Sequence, residues 1–129
     1  MWKEGIIIAI IIIAIIFGNS VTQNYTQESV NTMTQQLNMM KQEMDQEEKD
    51  HALIEQQMDQ IEKEWNDIHD KMAYYIEHDE LEKVDTDLTA MKSYIQTEEY
   101  EEAISELDKA IFCLNHIEEK YTLELQNIF

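Results

Sequence analysis

Arginine and proline are absent from this sequence of 129 residues, glycine occurs twice and cysteine once. A single cysteine excludes an internal disulfide framework and any multi-cysteine zinc site. With no proline, and only Gly5 and Gly18 as glycines, turn-formers are few, which disfavours a sheet-rich fold. Basic charge is scarce as well: nine lysines stand against 28 acids, for a net charge of −19. Binding of nucleic-acid phosphates needs a cationic surface, arginine above all, so nucleic acid is not an expected partner. The length allows one small domain.

What the sequence does have begins with an uninterrupted apolar run, Ile6 to Phe17 (IIIAIIIIAIIF), flanked by the two glycines. As a helix, Gly5 to Gly18 spans roughly 21 Å at about 1.5 Å per residue. Adding Trp2 on one side and Val21 on the other approaches the ~20 residues that cross a hydrocarbon core of about 30 Å. Trp2 suits a headgroup position. A core helix in so small a domain has no need to be apolar all round. Residues 1–21 therefore read as a transmembrane anchor, with Ile6, Ile10, Ile13 and Phe17 among its lipid-facing residues. A cleaved signal segment is the competing reading, because Gly18-Asn19-Ser20 is a small-x-small triplet. A buried helix of a soluble protein is a third. The poorly basic start and the lack of an Ala-x-Ala site favour the anchor. Lys3 precedes the run and no basic residue follows until Lys41. The positive-inside tendency then predicts a single-pass protein of the cell membrane with its C-terminal domain extracytoplasmic.

Beyond Tyr25 the chain is polar and helical in pattern. Val30, Met33, Leu37, Met40 and Met44 step by three and four, as a coiled-coil seam does. Glu47 and His51 occupy the next two seam positions. Ile54, Met58, Ile61, Trp65, Ile68, Met72 and Tyr75 then resume in the same phase. This register predicts one long amphipathic helix over about 33–76, with a bend or boundary at Glu47 and His51. Leu81, Val84, Leu88, Met91 and Ile95 predict a second helix over 80–96, with acids Asp79, Glu80 and Glu82 at its N-terminus. Thr97 offers an N-cap to a third helix over 98–117, marked by Tyr100, Ala103, Ile104, Leu107, Ile111, Leu114 and Ile117. Tyr121, Leu123, Leu125, Ile128 and Phe129 form an apolar tail.

Short links make neighbouring helices antiparallel. The expected architecture is all-α: an N-terminal transmembrane helix, a long amphipathic helix, and a C-terminal antiparallel three-helix bundle. The corresponding division is 1–21 anchor, 22–50 helical stalk and 51–129 bundle, with Trp65, Leu81, Leu88, Leu107 and Leu114 in the core. The methionine-rich Val30–Met44 seam has three fates open to it: a stalk, pairing with another chain, or folding back as a fourth helix. Methionine fills irregular space but specifies shape poorly.

The C-terminal half is similar to a bacterial family known as domain of unknown function 4363. The residues that carry the likeness are Trp65, His78-Asp79-Glu80-Leu81, Val84-Asp85, Leu88, Lys92, Tyr94-Ile95, Ala103, Glu106-Leu107, Leu114, His116-Ile117, Leu123 and Asn127-Ile128. Glu118 departs from the pattern, which has proline after His-Ile. The resemblance implies a membrane-anchored or exported helical protein and no particular activity.

Residues that could carry chemistry are few. His78 and Glu80 at the start of one helix, and His116 at the end of another, fall at the same end of an up-down-up bundle, with Asp85 one turn further on. A carboxylate with two imidazoles is an acceptable zinc or iron set. The plainer account is that a histidine near a helix C-terminus is favoured by the dipole alone. Glu47, His51 and Glu55 share a face at ligand spacing, yet more simply form a polar layer that sets register. His69 lies one turn after Trp65, where an aromatic pair is expected. Cys113 has His116 three residues on, but a half-buried cysteine on a helix is ordinary. The acidic surface reads first as a source of solubility. No catalytic constellation is present, so no enzyme and no cofactor are expected. The leading expectation is a non-enzymatic module anchored in the lipid bilayer, whose exported acidic domain binds its own copy or a polytopic membrane protein. The alternative is an extracytoplasmic domain that binds or senses divalent cations.

Overall fold

The computed structural model describes the backbone of residues 1–128 and the side chains of residues 1–122. The described residues form four helices: α1 (Trp2–Met44), α2 (His51–Met72), α3 (His78–Gln96) and α4 (Tyr100–Ile128). The all-α expectation holds. Each helix packs on its neighbours in sequence, and α4 closes the ring against α1. Consecutive helices joined by short turns run antiparallel, which makes this an up-down-up-down four-helix bundle.

The bundle differs from the expected three helices on a stalk because of residues 45–50. They leave the helix and reverse the chain, so the seam of α1 folds back, the third of its three open fates. Val30, Met33, Leu37, Met40 and Met44 are all buried. From Thr26 onward the segment assigned to a stalk is one wall of the bundle. The cause lies in the two polar seam positions. A straight helix through Glu47 and His51 would leave both apolar seams open to water, whereas reversal buries each against the other. Asp50 provides the restart: its side chain accepts from the Leu53 backbone N–H at 3.1 Å and caps α2.

A second difference is at Thr97, expected as an N-cap. It ends α3 instead: its hydroxyl donates to the Glu99 carboxylate at 2.8 Å, with the Ser93 and Tyr94 carbonyls further off at 3.4 and 3.3 Å. Glu98 follows with φ 58°. The Glu98 N–H donates to the Ile95 carbonyl and the Glu99 N–H to the Tyr94 carbonyl. These two bonds around a left-handed residue form a Schellman motif.

The core runs the length of the bundle. Trp65, Leu81, Leu88, Leu107 and Leu114 lie in it, together with six of the eight methionines. At one end, Thr22 Oγ1 pairs with Tyr121 Oη and Thr26 Oγ1 with Tyr75 Oη at 2.8 Å, while the two tyrosine rings meet at 5.0 Å. These contacts mark where the bundle begins. The chain before them, Trp2 to Val21, continues α1 outward as bare helix for about 30 Å. Ile6, Ile10, Ile13 and Phe17 are exposed on it. α1 is the one helix among the described residues long and apolar enough to cross a membrane. At the other end of the chain α4 passes Glu118 unbroken and reaches Ile128. The side chains of the apolar tail from Leu123 onward lie outside the described residues.

Candidate functional site

The end of the bundle nearest the apolar extension brings together Glu80 and His116 of the chemistry-bearing side chains singled out above. Glu80 stands in the first turn of α3 and is buried, with 8 % of its surface exposed. An isolated carboxylate there would be costly. Three cationic or titratable groups face it: Lys120 Nζ at 3.6 Å, Lys83 Nζ at 3.7 Å and His116 Nε2 at 3.9 Å. Lys120 also reaches Glu77 at 3.2 Å. Glu80 and its partners tie the start of α3 to the end of α4. The charges offset each other, and the arrangement is a clamp between helices.

His116 and Glu80 are therefore brought together, as expected from the topology. His78 does not join them. It is exposed at the first residue of α3 and takes part in none of the ion pairs around Glu80. Asp85 lies elsewhere, facing α2, where it accepts from Trp65 Nε1 and sits 3.3 Å from His69 Nε2. Among the described residues no three His, Cys, Asp or Glu side chains converge as a metal site.

The Trp65–His69 pair forms as the spacing suggests, edge to face with centroids 5.8 Å apart. At the opposite end of the bundle, His51 pairs with Glu55 at 2.9 Å and shares a hydrogen bond with the Tyr100 hydroxyl. Glu47, placed with them on sequence spacing, lies in the 45–50 turn.

Cys113 and His116 do not act on one another. The thiol donates toward Asp87 Oδ2 at 3.5 Å, whereas the His116 ring stacks on exposed Phe112. Burial first, then the hydrogen bond to Asp87, pushes the thiol up to about 11. Burial likewise raises the Asp87 carboxyl above its ordinary value, with the Cys113 bond acting against the rise. A cysteine held as the neutral thiol at physiological pH is a poor nucleophile.

Two grooves of opposite character flank the bundle. Between α3 and α4 runs an open groove of about 1020 Å³ that carries Glu82, Asp87, Asp108, Lys83, Phe112 and Cys113 among its lining. Between α1 and α2 lies a groove of about 240 Å³, lined by Gln36, Met39, Leu53, Gln56, Gln57, Gln60 and Ile61. None of these seven side chains is ionisable. The heptad reading passed over this face because it followed the buried positions. The legible signal was the stretch Ser29 to Met40, which contains no ionisable residue in a chain of net charge −19.

No curated protein and no solved structure matches the chain. A family model described as a domain of unknown function (DUF4363) matches residues 20–128. The match spans all four bundle helices and starts just past the apolar run. The chain belongs to the DUF4363 family.

Proposed function

We propose that this protein is a single-pass, membrane-anchored and non-enzymatic interaction module, with its acidic bundle on the extracytoplasmic face of the cell membrane. One observation carries the reading. The first ~30 Å of α1 stand clear of the bundle with isoleucines exposed on every side, a length equal to the hydrocarbon core. Burying such a surface is worth about 25 cal/mol per Å², and nothing in the bundle buries it. The location of Lys3 ahead of the run supports a cytoplasmic amino end. The non-enzymatic part rests on where the reactive groups are spent: Glu80 on lysines, Asp85 on Trp65, and Cys113 on Asp87. Its binding partners are the helices of its own copy or of another membrane protein.

The test is alkaline carbonate extraction of membranes from cells that express the full chain, followed by protease protection of intact cells. Retention in the pellet with the bundle digested from outside supports the proposal. Release into the supernatant, or a bundle protected until the membrane is opened, overturns the anchoring or the sidedness respectively. Ile10→Lys with Ile13→Lys adds about 2.5–3.5 kcal/mol per charge near the centre of the span and is expected to shift the chain to the soluble fraction.

A further inference from the structure

We infer that the last two turns of α4 enter the headgroup layer of the bilayer that α1 crosses, so that the bundle meets the lipid surface through a second helix. The inference rests on the membrane-anchored reading and adds to it a lipid contact made by another part of the chain.

Level along the bundle axis is the first argument. α4 runs antiparallel to α1, and the Tyr121 hydroxyl pairs with Thr22 Oγ1. That bond sets the two helices level at Tyr121 and Thr22. The α4 backbone does not stop there; it stays helical to Ile128. At about 1.5 Å per residue it travels a further ~10 Å toward the lipid. Continued straight, its backbone at Glu124 stands level with Asn19, at Leu125 with Gly18 and at Ile128 with Ile15. The apolar run of α1 ends at Phe17, so the edge of the hydrocarbon falls on this same stretch. An α1 that spans the bilayer thus carries the end of α4 into the headgroups. Nor does that end cover the span: Ile15, Ile16 and Phe17 remain exposed beside it, which leaves lipid as the surrounding of both helices.

Charge is the second. α1 has no charged side chain between Glu4 and Glu28, so its uncharged stretch outlasts the apolar run. α4 changes character at the matching level. Glu118, Glu119 and Lys120 precede Tyr121, whereas from Tyr121 to Ile128 only Glu124 is charged. Charges are costly in hydrocarbon and tolerated near the headgroups. Two helices that lose charge at one level, in a chain of net charge −19, share a surrounding of low polarity there. Glu124, level with Asn19, limits α4 to the boundary and keeps it from the bilayer interior.

Aromatic residues are the third. Tyr25, Tyr74, Tyr75 and Tyr121 gather at this end of the bundle: Tyr75 bonds to Thr26 and its ring meets that of Tyr121. Tyrosine and tryptophan are enriched where hydrocarbon meets water, because each joins an apolar ring to a polar group. Tyr74, in the turn between α2 and α3, is 90 % exposed. Trp2, 70 % exposed, stands at the other end of the apolar run. The two ends of the span are thereby each marked by an open aromatic ring.

Quenching by labelled lipid tests this with the full chain in phosphatidylcholine vesicles. Cys113→Ser removes the native thiol, and Leu125→Cys, Ile128→Cys, Glu101→Cys and Ile11→Cys each carry one nitrobenzoxadiazole dye. Glu101 stands ~35 Å back along α4 from Leu125, out of reach of the lipid. Phosphatidylcholine with a nitroxide near the top of its acyl chain is expected to quench the dye at Leu125 or Ile128 about fivefold more than at Glu101, a contrast set by that distance. Quenching above the Glu101 level at either position supports the contact; quenching at neither overturns it. A lipid with the nitroxide deep in the acyl chain separates the two readings through Ile11. If the Ile11 dye is quenched while those at Leu125 and Ile128 are not, the α4 contact alone falls. If the Ile11 dye is not quenched either, the anchor falls with it.

Discussion

Several single side chains decide local outcomes here. Glu98 takes the left-handed residue of a Schellman motif, a conformation that costs an L residue about 1–2 kcal/mol and glycine almost nothing. Glu98→Gly is expected to stabilise the bundle by about 0.5–1 kcal/mol, after the unfolded chain's added freedom is subtracted. Urea unfolding followed by circular dichroism measures the difference. A chain with two glycines, neither at a turn, gave no local sign of this link, and Thr97 drew the cap to itself. Trp65 offers a second case. Its indole N–H donates to Asp85, so Trp65→Phe keeps an aromatic but smaller ring in the core and removes a charge-assisted bond. The expected loss is about 1–2 kcal/mol, the lower part of the range because Asp85 is partly exposed. The core role of Trp65 could be read from heptad phase; its partner could not, because it lies twenty residues on in another helix. Cys113 makes the pH prediction. With the folded thiol raised to about 11, alkylation by iodoacetamide is expected to be slow at pH 7.5 and to rise about tenfold per pH unit until the thiolate dominates. The sign of the linkage follows: the shift favours the fold below the unfolded thiol's pKa and is lost as pH climbs through the folded value. A rate already at its plateau near pH 8 would show that burial does not hold the thiol neutral.

Helices show where periodicity suffices and where it stops. Steps of three and four residues located every buried stripe in α1, α2, α3 and the first two-thirds of α4, because each amphipathic face must be covered. The same regularity carried one register straight through 45–50. Phase alone does not distinguish a continuous helix from two that reverse, since both bury the same positions. The discriminating signals were local: Asp50 ahead of Leu53 as a cap, and four acids within six residues. α1 carries the sharpest test at this scale. If the segment after Thr26 is a wall of the bundle, Leu37→Ala should cost about 2–5 kcal/mol, as truncation of a buried leucine does. A projecting stalk would lose almost nothing. Chemical denaturation of the full chain in a zwitterionic detergent, with the unfolding slope unchanged, is the readout. The side-chain clamp at Glu80 belongs here too, as a link between α3 and α4. The pairing of Glu80 with His116 followed from topology, whereas the separation of His78 from them did not, because the direction of a side chain at a helix's first residue is not set by periodicity.

For the molecule as a whole, the division of labour is by surface. One helix is continuous from a fully apolar span into a bundle whose exposed faces are acidic, apart from the glutamine-lined groove. The family match to residues 20–128 covers the bundle and leaves the apolar run to this chain's own sequence. α1 joins the two, running as one helix from the apolar run into one wall of the bundle. The central claim is that the apolar end of α1 lies in lipid while the bundle stands in water. Nitroxide labels placed singly at Ile7, Ile11, Phe17 and Val21, in the full chain reconstituted into phosphatidylcholine vesicles with Cys113→Ser, report depth through collisions with oxygen and with a nickel chelate. The account predicts oxygen-dominated relaxation at Ile11, intermediate values at Ile7 and Phe17, and nickel access returning at Val21. Equal nickel access at all four positions, or exclusion of both reagents from them, would contradict it.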